Sequence, residues 1–136
     1  MIANVVGGGP SKTLVTPDNF TIGTNLHCKW ANIIFAVDEP MIKKLIADNN
    51  LTQLIFMTPQ TYKFFNEYKR CYEFDSRKWF NTSSLCSALN AVALACVLGF
   101  EEFNLYGFEK VQQNDKEKLI KLGQILDKTK RYNFIC

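Results

Sequence analysis

The residues of this chain that could do chemistry gather where apolar runs end. Near the amino end, Ile2-Ala3-Asn4-Val5-Val6 leads straight into Gly7-Gly8-Gly9-Pro10-Ser11, which reads as a short strand opening on a glycine turn and a helix start. Residues without a Cβ let the backbone turn sharply and come close to a ligand, and Pro10 presets φ at the first helical position. The amides of Gly8 and Gly9, the Ser11 hydroxyl and the positive end of a helix dipole would then suit a phosphate or carboxylate. The run is not a P-loop, since no Gly-Lys-Ser/Thr follows, and it is not the usual dinucleotide fingerprint.

Further polar groups close later apolar runs. Thr24 and Asn25 end Phe20-Thr21-Ile22-Gly23, and the Asn25 amide could read a base or a ribose edge. Asp38 follows Asn32 to Val37, where its carboxylate either caps the next helix or holds a ribose hydroxyl or a magnesium-bound phosphate. Magnesium is thus the one cofactor to consider, and no set of protein metal ligands is spaced for a site of its own. Thr82-Ser83-Ser84 precedes a helix of small residues and offers caps or a second anion contact. Tyr106-Gly107-Phe108-Glu109 leaves another strand. Tyr106 can donate to a phosphate or pack, and Glu109 can act as a base or stand as a solvated loop carboxylate. His27 is the single histidine; its neutral range suits proton transfer, and a structural or rim-binding role suits it as well. Trp30, Phe64, Phe65, Tyr72, Trp79 and Phe80 could stack a base, but large aromatics dominate burial and most belong in the core. Lys69, Arg70, Arg77 and Lys78 form a basic cluster that either draws in a diphosphate or is plain surface.

The elements that must position these groups alternate. Strands are expected over residues 2–6, 20–25, 32–37, 51–57 and 102–106, with a last one at 132–135 and an extended stretch at 71–74. Near-continuous apolar character in 32–37 and 51–57 marks strands covered on both faces. Pro10, Pro40 and Pro59 each fall in the first turn after a strand, with Asp38 and Thr58 placed as N-caps. A helix of small apolar residues runs from Ser84 to Leu98 and stops at Gly99; another, opened by Asn114-Asp115-Lys116-Glu117, reaches Lys128. Such alternation predicts an α/β fold, a Rossmann-like three-layer sandwich with a mainly parallel sheet, in a single domain over residues 1–136. Ligands bind open sheets of this kind beyond the carboxyl ends of the strands, so all the polar groups above fall on one rim.

Bulk properties narrow the function. A chain of 136 residues with 47% hydrophobic and 21% charged residues can bury one core, and a scattered net charge of +3 points to no nucleic acid while favouring a small anionic ligand. Five cysteines, odd in number and never spaced Cys-x-x-Cys, indicate reduced thiols; with no basic and apolar leader, a cytoplasmic location is expected. The longest apolar stretch, Leu85 to Phe100, is broken by Ser87 and Asn90 and is shorter than the roughly 20 residues of a spanning helix, so no membrane is expected. A homodimer would be invisible in the sequence.

Taken in order, Gly7-Gly8-Gly9-Pro10-Ser11, Asn25, Asp38, Thr82-Ser83, the small-residue helix Ala91 to Gly99 and Gly107-Phe108-Glu109 resemble the motifs of bacterial family-42 sialyltransferases and the related flagellin-glycosylation and hydroxymethylpterin-diphosphokinase-like domains. The resemblance covers about residues 2 to 109. It implies a nucleotide site, with the glycine turn on the phosphates and Asn25, Asp38 and Ser83 on ribose or base. It also implies a minimal form. Gly8 stands where asparagine is typical and Phe80 in the region of a basic residue, and one helix and one strand after Glu109 leave no room for the family's histidine-bearing lid. Asp38 fits the diphosphokinase-like branch. Two functions are therefore expected of the chain: a nucleotide or nucleotide-sugar domain transferring a sugar or phosphate group through Glu109 and His27, or a non-catalytic binder that sequesters or senses a nucleotide-derived ligand.

Overall fold

The computed structural model describes residues 1–80, 86–109 and 130–135. Its centre is β1 (Ile2–Val6), four of whose five residues are buried, as a central strand covered on both faces requires. The chain steps outward from β1 through β2 (Phe20–Thr24), β3 (Ile33–Phe35), β4 (Leu54–Met57) and β5 (Cys71–Glu73), then returns to the far side of β1 with β6 (Glu102–Tyr106) and β7 (Arg131–Ile135). The strand order is β5-β4-β3-β2-β1-β6-β7, and every adjacent pair is parallel. This is the Rossmann-like α/β fold that the alternating pattern predicts. Because the order reverses at β1, the carboxyl ends of β1 and β6 diverge into different connections, and a crevice opens there.

Two helices cover opposite faces. The first, α1 (Glu39–Ala47), lays Ile42 and Leu45 on Ile34, Ala36, Ile55 and Met57. The helix after the short turn α2 (Pro59–Tyr62) is α3 (Ser87–Val97), apolar nearly all round and buried, which packs on Ala3, Val5, Ile22, Phe35, Phe103 and Leu105. Gly99, at φ +95°, ends it in the left-handed conformation that only glycine adopts without strain.

Several boundaries differ from the expected ones. The glycine turn opens on a short 3-10 helix, Pro10–Leu14, closed by the Lys12 N–H to Gly9 carbonyl bond, and Val15 then leaves it as extended backbone ahead of a turn at Pro17 and Asp18. Strand β4 starts only at Leu54, after a loop in which the Gln53 carbonyl accepts from Arg70 Nε at 2.9 Å. Asp38 and Thr58 do occupy N-cap positions, yet neither side chain makes a capping hydrogen bond. The aromatics also depart from expectation: Trp30, Phe64, Tyr72 and Trp79 are exposed, and among those named only Phe65 is fully buried while Phe80 packs partly against the core. Most of them sit on loops around the short edge strand β5, where little sheet exists to cover them, and Lys63 lies over the Phe64 ring. Of the basic cluster, Arg70 serves the fold through Gln53, and Arg77 pairs with Asp75 at 2.9 Å. The expected helix from Asn114 to Lys128 lies outside the described residues.

One polar feature crosses the sheet. On the face opposite α3, Asn133 donates to Asn104 at 3.0 Å, Asn104 to Asn4 at 3.3 Å, and Asn4 to the Thr21 hydroxyl at 3.3 Å and the Thr16 carbonyl at 3.2 Å. Register makes this ladder possible, since Thr21, Asn4, Asn104 and Asn133 are direct neighbours on four adjacent strands.

Candidate functional site

The carboxyl ends of β1 and β6 meet through their glycines. Gly7 N–H donates to the Tyr106 carbonyl at 2.7 Å and Gly9 N–H to the Gly107 carbonyl at 2.9 Å. A Cβ on Gly7 would stand 2.8 Å from the Gly107 oxygen, and one on Gly107, whose φ is +74°, would stand 2.5 Å from the Gly7 oxygen. Two backbones in van der Waals contact leave no space for side chains, which is why glycine is needed on both.

Ser11 and Glu109 lock the same junction from behind. Ser11 Oγ, in a buried side chain, accepts from Gly107 N–H at 2.7 Å, and Ser11 N–H donates to Glu109 Oε1 at 2.9 Å. Burial pushes the Glu109 carboxyl up, but hydrogen bonds from the Ser11 hydroxyl and from the Ser11 and Glu109 amides outweigh it and hold the group below its ordinary range. Glu109 Oε2 is buried without a hydrogen-bond partner among the described residues, pressed against the place a Gly9 Cβ would take. The amides of Gly7, Gly9 and Ser11 are thus engaged inside the fold, and Gly8 N–H is the amide of Gly7 to Gly9 with no intramolecular acceptor among the described residues.

In front of the junction lies a cleft of about 290 Å³. Gly8, Gly9 and Gly107 form its floor, Thr24, Asn25 and His27 come from the end of β2, Val37 and Asp38 from the end of β3, and Cys86, Ser87 and Ala88 from the start of α3. A second cavity, of about 270 Å³, opens at the amino ends of β1, β6 and β7 between Met1, Ile2, Glu101, Glu102 and Arg131. The first is the candidate site, because it alone stands beyond the carboxyl ends of the strands at the reversal of strand order.

Its polar groups divide by whether the fold already uses them. Thr24 Oγ1 donates to the Val6 carbonyl at 2.7 Å and is buried, tying the tip of β2 to that of β1. Asn25 turns the chain at φ +51°, the left-handed region that asparagine tolerates better than most residues, and its Oδ1 is buried with no partner among the described residues. Ser87, 7% exposed at the first turn of α3, has an Oγ equally without a partner. The Asp38 carboxylate, which makes no cap bond, is exposed at the rim. His27 Nδ1 stands 3.5 Å from Lys12 Nζ, and its ring lies over Gly8.

Of the residues named from sequence, Gly8, Gly9, Thr24, Asn25, His27, Asp38 and Gly107 line the cleft. Gly7, Ser11 and Glu109 lie behind it in the junction, and Pro10 is exposed on the 3-10 helix. The Tyr106 side chain packs with Val15 against Val6, Cys28 and Ala31. Thr82, Ser83 and Ser84 lie outside the described residues. Ser87 and its neighbours Cys86 and Ala88 escaped sequence reasoning because the small-residue pattern extends smoothly back to Ser84 and hides where the first helical turn begins. Among the described residues, Cys28, Cys71, Cys86 and Cys96 form no disulfide with one another, and burial pushes the Cys28 and Cys71 thiols up. No group of three or more His, Cys, Asp or Glu side chains that could hold a metal ion occurs among the described residues, and no helix described is long and apolar enough to cross a membrane.

No family model and no curated protein matches the sequence. Solved structures do match the fold. A structure of the sialyltransferase CstII from Campylobacter jejuni in complex with a substrate analogue, cytidine-5'-monophosphate, superposes with a TM-score of 0.64 at 18% identity, covering 97% of this chain and 78% of that one. A point mutant of the alpha-2,3/8-sialyltransferase CstII, and CST-II in complex with a trisaccharide acceptor and CMP, give TM-scores of 0.57 and 0.56 at 17% identity, each over 90% of this chain and 70% of the other. At such identities the likeness is one of fold. All three are sialyltransferases; none supports the diphosphokinase-like branch.

Proposed function

We propose that the protein binds a nucleotide or nucleotide sugar in the cleft at the β1/β6 junction, as a minimal relative of the family-42 sialyltransferases. One observation carries this reading: the Asn25 carbonyl and the Ser87 hydroxyl, on different elements, are both buried, both without partners among the described residues and both on the same cleft. A buried polar atom without a partner costs about 1–3 kcal/mol, so two on one cleft are best explained by a ligand that completes them. Their chemistry is complementary to a nucleotide. Asn25 Oδ1 accepts from a base amine or ribose hydroxyl, and Asp38 from ribose hydroxyls. Ser87 Oγ, at the positive end of the eleven-residue α3, donates to a phosphate oxygen together with the Gly8 amide. The fold shared with a structure that contains cytidine-5'-monophosphate supports the same ligand class. Asp38 is the one carboxylate on the cleft among the described residues, so a magnesium ion would be held there through it and the ligand phosphates.

Transfer of the sugar is the reading for a complete pocket, with His27 as the cleft group able to move a proton. Binding without transfer is the second reading, favoured by the placement of Glu109, whose carboxylate is tied to Ser11 behind the cleft. The test is calorimetric titration with cytidine-5'-monophosphate. Binding by the protein that weakens about tenfold in Ser87→Ala, as loss of one phosphate hydrogen bond predicts, supports the site. No binding, or equal affinity in the variant, overturns it. Mass spectrometry of products from a CMP-linked sugar then decides between transfer and holding.

A further inference from the structure

Past Gly8 the glycine turn has no donor left to give. Gly9 N–H is bonded to the Gly107 carbonyl, Pro10 carries no N–H, and Ser11 N–H is bonded to Glu109 Oε1. What lies against Gly9 is oxygen: a Cβ there would run into Glu109 Oε2 and stand 2.9 Å from the Gly107 oxygen. The hydrogen bonds that hold the Glu109 carboxyl below its ordinary range keep it ionised near neutral pH. Its Oε2 is buried with no hydrogen-bond partner among the described residues, so no contact at that oxygen offsets the charge. The Ser11 amide is the position an incoming anion would seek, and the chain has filled it with its own carboxylate. Positive charge is scarce here. No lysine or arginine is among the described residues lining the cleft, and Lys12 comes near through Nζ, 3.5 Å from His27 Nδ1. At about 290 Å³ the cleft is also at the small end for ligand sites, which run from roughly 300 to 1,000 Å³.

We propose that Glu109 is a specificity-determining residue: its carboxylate is a built-in anion against Gly9 that lets the cleft take a ligand with one phosphate at the Gly8 amide and repels a ligand that carries a second. The proposal rests on the nucleotide reading above and adds the residue that sets the phosphate count. A second phosphate running on from Gly8 along the turn meets a carbonyl and a carboxylate and finds no amide. Like charges about 7 Å apart near a protein surface repel strongly enough to weaken binding tenfold or more.

Calorimetric titration of the full chain with cytidine-5'-monophosphate and with cytidine-5'-diphosphate, near neutral pH and free of magnesium, reads the proposal as the ratio of the two dissociation constants. The parent should bind the diphosphate about tenfold more weakly than the monophosphate, or worse. Glu109→Gln keeps the shape and removes the charge, so the gap should shrink to about threefold or less. Glu109→Asp, which keeps the charge, should retain most of it. Thermal melts establish that both variants are folded. A merely structural Glu109 would move both ligands together and leave the ratio where it was. Raising salt from about 50 to about 500 mM screens the repulsion and should narrow the gap in the parent, a measurement that needs no variant. Diphosphate binding by the parent as tight as that of the monophosphate, a gap unchanged in folded Glu109→Gln, or a gap that fails to narrow with salt overturns the proposal and leaves the nucleotide reading standing. If neither nucleotide binds, the nucleotide reading falls and the proposal with it.

Discussion

Replacing Glu109 by glutamine separates a structural tie from a chemical role. In the folded protein the carboxylate accepts from the Ser11 amide at 2.9 Å, and its other oxygen is buried without a partner among the described residues. A hydrogen bond to a charged group contributes about 1.5–3 kcal/mol and a neutral one about 0.5–1.5, so Glu109→Gln loses about 1 kcal/mol by weakening the bond. The amide nitrogen it places at the buried position lacks an acceptor, which brings the expected destabilisation to about 2 kcal/mol near neutral pH. In a domain of this size that lowers the melting temperature by about 5–10 °C. The pH dependence adds a signature. Glu109 titrates below its ordinary value of 4.5 in the folded state, so its contribution is complete above that value and is lost as pH falls through 4.5 towards the lower folded value. Urea unfolding of both proteins across that window isolates it, because every other carboxylate is common to the two and cancels in the difference. The gap between them should be widest at neutral pH and close on acidification. A Glu109→Gln protein as stable as the parent, or a gap that ignores pH, refutes the structural account and returns Glu109 to the role of a reactive group.

Two further outcomes follow from the same geometry. Asn25→Gly should leave stability unchanged or raise it by up to about 1 kcal/mol, because φ +51° suits glycine, while lowering nucleotide affinity about tenfold through loss of the buried carbonyl. Asn25→Ala should lose both, and equal affinity in the two variants and the parent by calorimetry would exclude Asn25 from the site. Asn4→Ala removes the centre of the amide ladder, leaving the Thr16 carbonyl and Asn104 Nδ2 short of partners, and should cost about 2–3 kcal/mol in denaturant unfolding. A cost below about 0.5 kcal/mol, the usual range for surface positions, would show the ladder to be dispensable.

The sheet was legible because covered parallel strands write near-continuous apolar runs, and those of β3 and β4 stand out against polar connections. Strand β5 was harder to see. Three residues, two of them exposed, carry no period, and Cys71–Glu73 owes its place to pairing with Ile55, Phe56 and Met57 more than to any propensity of its own. The aromatic residues misled for a related reason: hydrophobicity predicts a demand for burial, but the narrow β5 edge has too little area to meet it. The start of α3 was not legible because the serines and small apolar residues of 83–88 carry no cap signal that singles out Ser87 as its first residue.

The glycine turn shows what spacing can and cannot convey. Gly7-Gly8-Gly9 signals a close backbone approach, and a close approach is present; the sequence leaves open whether the approaching atoms belong to a ligand or to the chain. Here Gly7 and Gly9 face the backbone at Gly107 and the Glu109 carboxylate, and only Gly8 faces outward. A carboxylate supplied 98 residues away occupies the Ser11 amide that an external anion would otherwise seek. Other groups reach the same crevice from elsewhere in the fold: Gly8 from the turn after β1, His27 from the turn after β2, and Ser87 from the head of α3. Because the chain reverses direction across the sheet between β1 and β6, these groups converge although they lie 8, 27 and 87 residues into the sequence.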